Sequence, residues 1–444
     1  MRAKVQGIGR GGAAGAPLPP QASPLETWHQ RPEDPDRARA MWQQVREQPG
    51  ACMHAAPCGQ WVGSAEGVLQ VLRGGGDLYS VNGYGQRMQA SVGLNHLGMD
   101  PGGGYEEQAP AVNQAIEGIT AREAFAATLQ ALEPALRAIK LLLPPPPPPP
   151  PPLEHRVRLP LDLVTLSDRV LAGLCTHWIG LPEDPATLAA GHLPFMLGGA
   201  RADDAGAAGG PARCPGDLVG AADFIFAPHP WPTRLDSGPA QGRAVLTAVA
   251  AWLASGRRLG PLALKIRDGL MHVAAAERDA VLARCIAGVL LGFAPTVQGN
   301  FLRTMETWIG DKLLWACQQR LAGVSVGLGD SFARAEQALL APLLRTMRER
   351  PLPDLLWRCP VVDGEAVLDA DRRIVLGIAS ALSDAAAPHE LLFGGARHGE
   401  FKTVHACPGY GMGLGVLLGL LVGLLEAGTL RPTGSPLLLM LTPN

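Results

Sequence analysis

Fourteen consecutive residues near the end of the chain, Met412 to Leu425, are almost all Leu, Gly and Val. So apolar a run has to leave water. A helix needs about 20 residues to span a bilayer, so the run predicts a helix buried in a protein core. The composition can supply that core. Of the 444 residues, 47% are apolar and 18% charged, which excludes disorder of the whole chain. The net charge of −2 argues against a nucleic-acid binder held by phosphate contacts. The N-terminus, MRAKVQGIGRGGAAGAPLPP, has no apolar stretch of its own, so neither a signal peptide nor a membrane anchor is expected.

Just before the buried helix stands His405-Ala406-Cys407-Pro408-Gly409. A thiolate needs its charge stabilised while its sulfur stays free to bind metal. A helix N-terminus offers free backbone N–H groups and the positive end of the dipole. Pro408 is suited to the first helical position, which predicts a helix from about Pro408 to Gly428. Gly409 leaves room for a flat group, and His405 has a ring N–H to offer an anion. Two readings of Cys407 stand at this point, a metal-ligating thiolate and a core thiol at a helix start. The other cysteines point to no metal. The chain has eight Cys. None forms a CxxC pair, and Cys52, His54 and Cys58 lack a second ligand pair for zinc. Scattered thiols fit a reducing cytoplasm, and the protein is expected to be soluble and cytoplasmic.

Residues 1–24, rich in Gly, Ala and Pro, read as a flexible tail. The nine prolines from Pro144 to Pro152 predict a polyproline II segment. It reads as a loop between helices, with an SH3-type ligand as the other use. Residues 196–220 read as a Gly/Ala-rich loop. Helical spacing predicts helices over 111–143, 161–178, 238–256, 271–297, 300–322 and 330–350. Short strands are expected within 355–380 and at the final LLLMLT. No repeat and no linker between two cores is found. The expected fold is mainly α with a small β component, one large domain over 25–444.

The cysteine segment resembles the cytochrome P450 superfamily, as a divergent bacterial-type member. That family places its haem-ligating Cys before a long helix, with His or Arg two residues earlier and Gly two later. The resemblance extends weakly from about residue 60 to the end. It implies haem b as cofactor, with Cys407 as the metal ligand and Gly409 beside the ring. It also implies His405 and the strand residue Arg358 on the propionates. The family's Phe and Gly before the Cys are replaced by Glu400 and Thr403; Phe393-Gly394-Gly395 with Arg397 looks like a displaced version. On the oxygen side, Gly292 and Thr296 match the ends of the family's central-helix motif, and Thr296 takes the catalytic place. Pro295 stands where an acid belongs. Proline predicts a kink there, and it cannot relay a proton. Arg348 takes the Arg place of a Glu-x-x-Arg pair, and Arg345 stands for the Glu. Asp100-Pro101 with Tyr105 is a loose counterpart of the early propionate motif, while His96, His177 and His192 read as core or surface histidines.

The implied activity is oxidation of a small apolar substrate by a monooxygenase or a peroxygenase. Oxygen use implies a ferredoxin- or flavodoxin-type electron donor, because the glycine clusters lack the setting of a dinucleotide site; peroxide needs none. The alternative is a catalytically degenerate haem-binding or scaffold relative.

Overall fold

A computed structural model describes residues 35–55, 58–140, 158–181, 218–230, 232–324 and 330–443. The tail over 1–24, the proline run, nearly all of the 196–220 loop and His192 lie outside the described residues.

In chain order the main helices are α1 (Pro35–Arg46), α2 (Ala65–Arg73), α3 (Asn82–Ala90), α4 (Gly104–Glu117), α5 (Ala121–Lys140) and α6 (Leu163–Ile179). They continue as α7 (Leu218–Phe226), α8 (Pro232–Ala254), α9 (Pro261–Gly269), α10 (Ala275–Gly310), α11 (Leu313–Gly323), α12 (Ala341–Glu349) and α13 (Tyr410–Glu426). The strands are β1 (Cys52–His54), β2 (Gln60–Val62), β3 (Tyr79–Ser80), β4 (Leu159–Asp162), β5 (Leu355–Val362), β6 (Glu365–Ala366), β7 (Ile374–Gly377), β8 (Gly428–Pro432) and β9 (Leu438–Pro443).

The apolar run does form a buried helix. Its glycines explain how. Added to Gly415, Gly419 or Gly423, a Cβ would fall 2.1 to 2.7 Å from Ala121 O, Thr128 or Leu132. These glycines recur every fourth residue, so they line one row of α13. The row lets α13 seat against α5 at close range, and the two helices form the most intimate packing in the molecule. Around them one continuous core includes the fully buried Trp61, Trp308 and Trp357.

The helix ends differ from expectation for identifiable reasons. The predicted helix over 111–143 is two helices. Thr120 caps the second, exchanging hydrogen bonds with Glu123 (Thr120 N to Glu123 Oε2, 2.8 Å; Glu123 N to Thr120 Oγ1, 3.2 Å). The predicted break near Pro295 is absent: α10 runs through Pro295 to Gly310. The chain turns instead at Lys312, whose φ of 59° is left-handed. Buried Ala294, Val297 and Gln298 flank the proline and hold the helix in the core. The last long helix starts at Tyr410 with Gly409 as its cap, so Pro408 precedes the helix rather than opening it. One described helix, α10, is long and apolar enough to cross a membrane, and most of its apolar stretch is buried inside the protein.

Two sheets flank the helices. In the larger, β1 pairs β2, β2 runs parallel to β7, and β5 lies between β7 and β3 with β6 alongside. In the smaller, β9 lies between β4 and β8. Alternation along β5 sends Trp357 and Arg358 to opposite faces. Trp357 lies between two guanidiniums, Arg87 (4.8 Å) and Arg373 (4.7 Å). Those arginines and the indole N–H take the carbonyls at the end of α7: Arg87 reaches Phe224, Ile225, Ala227 and Pro228, Trp357 reaches Phe226, and Arg373 also reaches Pro228. Cations suit the negative end of a helix dipole, and this clasp fixes α7, which packs across α10.

Candidate active site

Cys407 sits in the turn before α13. Its backbone N–H donates to Phe393 O (2.9 Å), and the Gly409 N–H donates to its sulfur. The residue is exposed to solvent. It is nonetheless surrounded by enough protein that desolvation raises its pKa, while Gly409 and Arg397 act the other way. Both facts hold if the sulfur faces an internal hollow rather than the outer surface.

The displaced motif explains how the cysteine loop reaches this shape. Ala396 N donates to Phe401 O (2.8 Å) and Thr403 N to Ala396 O (2.9 Å), which pinches off the residues between. Thr403 Oγ1 donates to Gly394 O (2.7 Å) across the neck. Gly395 has a φ of 107° and a Cβ there would strike Thr403 at 2.5 Å, so glycine is required. Phe393 is thereby brought next to Cys407, and its ring meets Tyr410 edge-on at 4.4 Å. Arg397, at the start of the excursion, folds back. Its Nε donates to Glu117 Oε1 (2.8 Å) and one terminal nitrogen to Ala406 O (3.4 Å).

Around His405 the structure gathers basic groups. His405 Nε2 is buried without a partner, and so is Nδ1 of His96. Desolvation, then Arg358, His96 and Arg397 as positive neighbours, push His405 down to about 3. Desolvation, helped by Arg397, pushes His96 down to about 4. Arg358 is 6% exposed and donates to Trp357 O (2.8 Å), with no ion pair among the described residues. It is thus a buried cation rather than a surface salt bridge. Tyr105 lies edge-on to His405 (5.3 Å) and donates to Val404 O (3.2 Å). The acids nearby are engaged: Asp100 accepts from Ser80 and from Val81 N (2.8 Å), and Glu117 from Arg397.

The helices present glycine on this side. A Cβ at Gly413 or at Gly292 would meet nothing within 4 Å; buried Met412 and Leu414 flank the first, while Gly292 is exposed beside buried Leu291. At Gly409 it would make only ordinary contact, 3.6 Å to Ile116 and 3.7 Å to Cys407 Sγ. Gly288, one turn before Gly292 on α10, abuts Asn95, the neighbour of His96. Gly292 and Thr296 continue that row, so α10 and the histidine turn border one space. Thr296 is half-buried and its carbonyl accepts from Asn300 Nδ2 (2.9 Å). Glycines that leave open space, an exposed thiol and buried imidazole nitrogens without partners together suit a flat ligand carrying carboxylates and a metal.

Cys407, His405, Arg358 and Gly409 thus come together, while Gly292 and Thr296 lie farther along α10, the helix whose Gly288 abuts Asn95. Sequence reasoning passed over Gly413, which the four-residue step from Gly409 could have signalled; His96, read as a core or surface histidine, is buried in the core with its Nδ1 unpartnered. Arg348 serves packing, donating to Ala387 O (3.0 Å) and Asp384 O. His177 stacks near Trp178 (6.2 Å), outside the cluster.

No sequence family model and no curated protein matches this chain. Solved structures do. A cytochrome P450 (CYP102L1) matches with a TM-score of 0.57 at 11% identity, over 92% of this chain and 94% of that one. P450BioI in complex with an acyl carrier protein ligated by hexadec-9Z-enoic acid matches with a TM-score of 0.57 at 9% identity, over 94% and 100%. CYP109E1 from Bacillus megaterium in complex with testosterone matches with a TM-score of 0.53 at 13% identity, over 90% and 98%. At such identities the likeness establishes a shared fold, the cytochrome P450 fold.

Proposed function

We propose that this chain, built on the cytochrome P450 fold, is a haem-thiolate oxidoreductase acting on a small apolar organic substrate. One observation carries the reading. Cys407, exposed yet desolvated and receiving the Gly409 N–H, stands beside a glycine that leaves room for a flat group and two residues from His405, whose Nε2 is buried without a partner. Haem b fits these residues. Cys407 would be the metal ligand, Gly409 and Gly413 would lie along one face and Gly292 along the other, with His405 and Arg358 at the carboxylates. When bound, the group supplies an iron whose thiolate ligand favours O–O cleavage.

The chain's own residues have narrower tasks. The Gly409 N–H tempers the charge on the sulfur. Thr296 offers a hydroxyl at the oxygen side, where Pro295 has no proton to give. That pairing favours peroxide, which brings its own electrons and protons, over a cycle fed by a ferredoxin- or flavodoxin-type donor. Two of the similar structures hold apolar molecules, a steroid and a fatty acyl chain, in keeping with the assigned substrate class. The second reading, a haem-binding relative without turnover, draws on the same Pro295.

The test is spectroscopic. The reduced protein treated with carbon monoxide is expected to show a strongly red-shifted Soret band that Cys407→Ala abolishes. A chain expressed with ample haem that carries none overturns the proposal. Turnover with peroxide but not with an electron-transfer pair selects the peroxygenase form. A thiolate-type band without turnover by either route selects the second reading.

A further inference from the structure

Two arginines from distant parts of the chain converge on one carbonyl. Arg87, on α3, and Arg373, just before β7, both donate to Pro228 O, at 3.3 and 2.5 Å. Both guanidiniums also lie against the Trp357 ring, at 4.8 and 4.7 Å from its centroid. Among the described residues no carboxylate acts on either; the groups that do are each other, Tyr84, Cys58 and Cys359. Desolvation raises the pKa of that phenol and of both thiols, so all three are neutral near pH 7. His229 beside them is pushed below its usual range by desolvation and by both arginines, so it stays uncharged there too.

The negative end of α7 takes up part of this charge. A helix terminus is equivalent to only about half an elementary charge, against two full ones. The excess shows in Arg87, whose pKa falls to about 10 through desolvation and then through Arg373. It shows again in Arg373 Nε, which is buried without a partner. The place therefore wants a further negative charge, and its surroundings select the kind. Arg87 lies 6.0 Å from the centroid of the Phe224 ring, and Phe226 meets Tyr84 at 5.5 Å. Moving a doubly charged phosphate from water into so apolar a setting costs more than moving a carboxylate. A carboxylate also matches the guanidinium fork. Arg87, Arg373 and Phe226 are half-buried and His229 is exposed, so solvent gives a ligand access.

We infer that Arg87 and Arg373 form a carboxylate-binding site, and that the substrate anchored there is an apolar organic acid. Tyr84 joins this site to the other face of β5: its ring lies 4.6 Å from Trp357 and 5.8 Å beneath the Arg358 guanidinium. The arginine geometry carries the site, while its use as a substrate anchor rests on the haem-thiolate reading above.

Calorimetry on the full chain compares three probes. Octanoate has both chain and charge, 1-octanol the chain alone, and acetate the charge alone. Octanoate is expected to bind about tenfold or more tightly than either, the gain typical of a hydrogen bond to a charged group. Arg373→Gln keeps a donor for Pro228 O without the charge and is expected to lose most of the preference over octanol. Arg373→Lys is expected to keep part of it. Far-ultraviolet circular dichroism checks that the variants fold, and the comparison on the unsubstituted chain judges the site whether or not they do. Equal affinity for octanoate and octanol, or a preference that Arg373→Gln leaves intact, overturns the site. Acetate binding as tightly as octanoate overturns the apolar acid. With peroxide, Arg373→Gln is expected to raise KM for octanoate about tenfold, and an unchanged KM overturns the anchoring role. A chain that holds no haem defeats the earlier proposal and the anchoring role with it, while calorimetry still judges the arginine site.

Discussion

His96 carries a consequence that does not depend on any ligand. Burial holds its ring neutral, with its pKa lowered to about 4; in the unfolded chain a histidine titrates near 6.5. As the pH falls below about 6.5 the unfolded chain takes up a proton that the folded chain refuses. The contribution is therefore fully present above that value, declines as the pH falls towards 4, and declines no further below it. The slope within the window is about 1.4 kcal/mol per pH unit. Urea unfolding of the haem-free chain is expected to show a loss on the order of 2 kcal/mol from this group between pH 7 and pH 5. His96→Gln removes the titrating ring and is expected to flatten that dependence; the same slope in the variant would sink the assignment. In the sequence His96 is one of eleven histidines, with no spacing that singles it out. Its character comes from what folding leaves unpaired around it.

At the scale of the element, α13 shows one sequence pattern doing two jobs. Glycine weakens an isolated helix by about 1 kcal/mol relative to alanine, so the glycines of α13 need a tertiary reason. Gly415, Gly419 and Gly423 have one in the approach to α5. Gly413 has none from the protein, since nothing lies within 4 Å of its missing Cβ. Alanine is therefore expected to part the two rows. Gly415→Ala forces a methyl to within 2.1 Å of Ala121 O, and a destabilisation of about 1–3 kcal/mol is expected from overpacking. Gly413→Ala is expected to leave the haem-free chain as stable or up to about 1 kcal/mol more stable, while weakening binding of a flat ligand. Chemical denaturation of the two variants, with porphyrin binding to the second, checks this. Equal destabilisation by both substitutions would remove Gly413 from the list of groups facing the hollow.

Across the whole molecule, the residues of the proposed site come from parts far apart in the chain: the start of α4, the middle of α10, β5 and the cysteine loop. Arg397 ties two of them together, linking Glu117 at the end of α4 to Ala406 beside the cysteine. Both partners of that ion pair are partly exposed, 26% and 34%, so solvent screening keeps its worth modest. Arg397→Ala is expected to cost only about 1 kcal/mol of stability. It is also expected to open the pinched-off residues 398–402 to proteases several-fold faster. An unchanged cleavage rate there would show that the neck hydrogen bonds at Ala396 and Thr403 hold the excursion alone.

Local signals made much of this legible. The apolar run demanded a buried helix, Pro408 marked its start two residues before the observed Tyr410, and helical spacing found most of the long helices. The mainly-α fold with a small β component follows from those patterns, because periodicity and turn chemistry act between near neighbours. Helix limits at Thr120 and Lys312, and the unbroken passage of α10 through Pro295, were decided by packing and capping that no window of sequence contains. The same holds at the site. The sequence nominated Cys407 and His405 by type and position, and Arg358 through the resemblance. That His96 Nδ1 is left buried without a partner, that Tyr105 is spent on Val404, and that Gly413 faces open space while Gly415 does not, depend on which atoms remain without partners once every other contact is made. That accounting exists only in three dimensions.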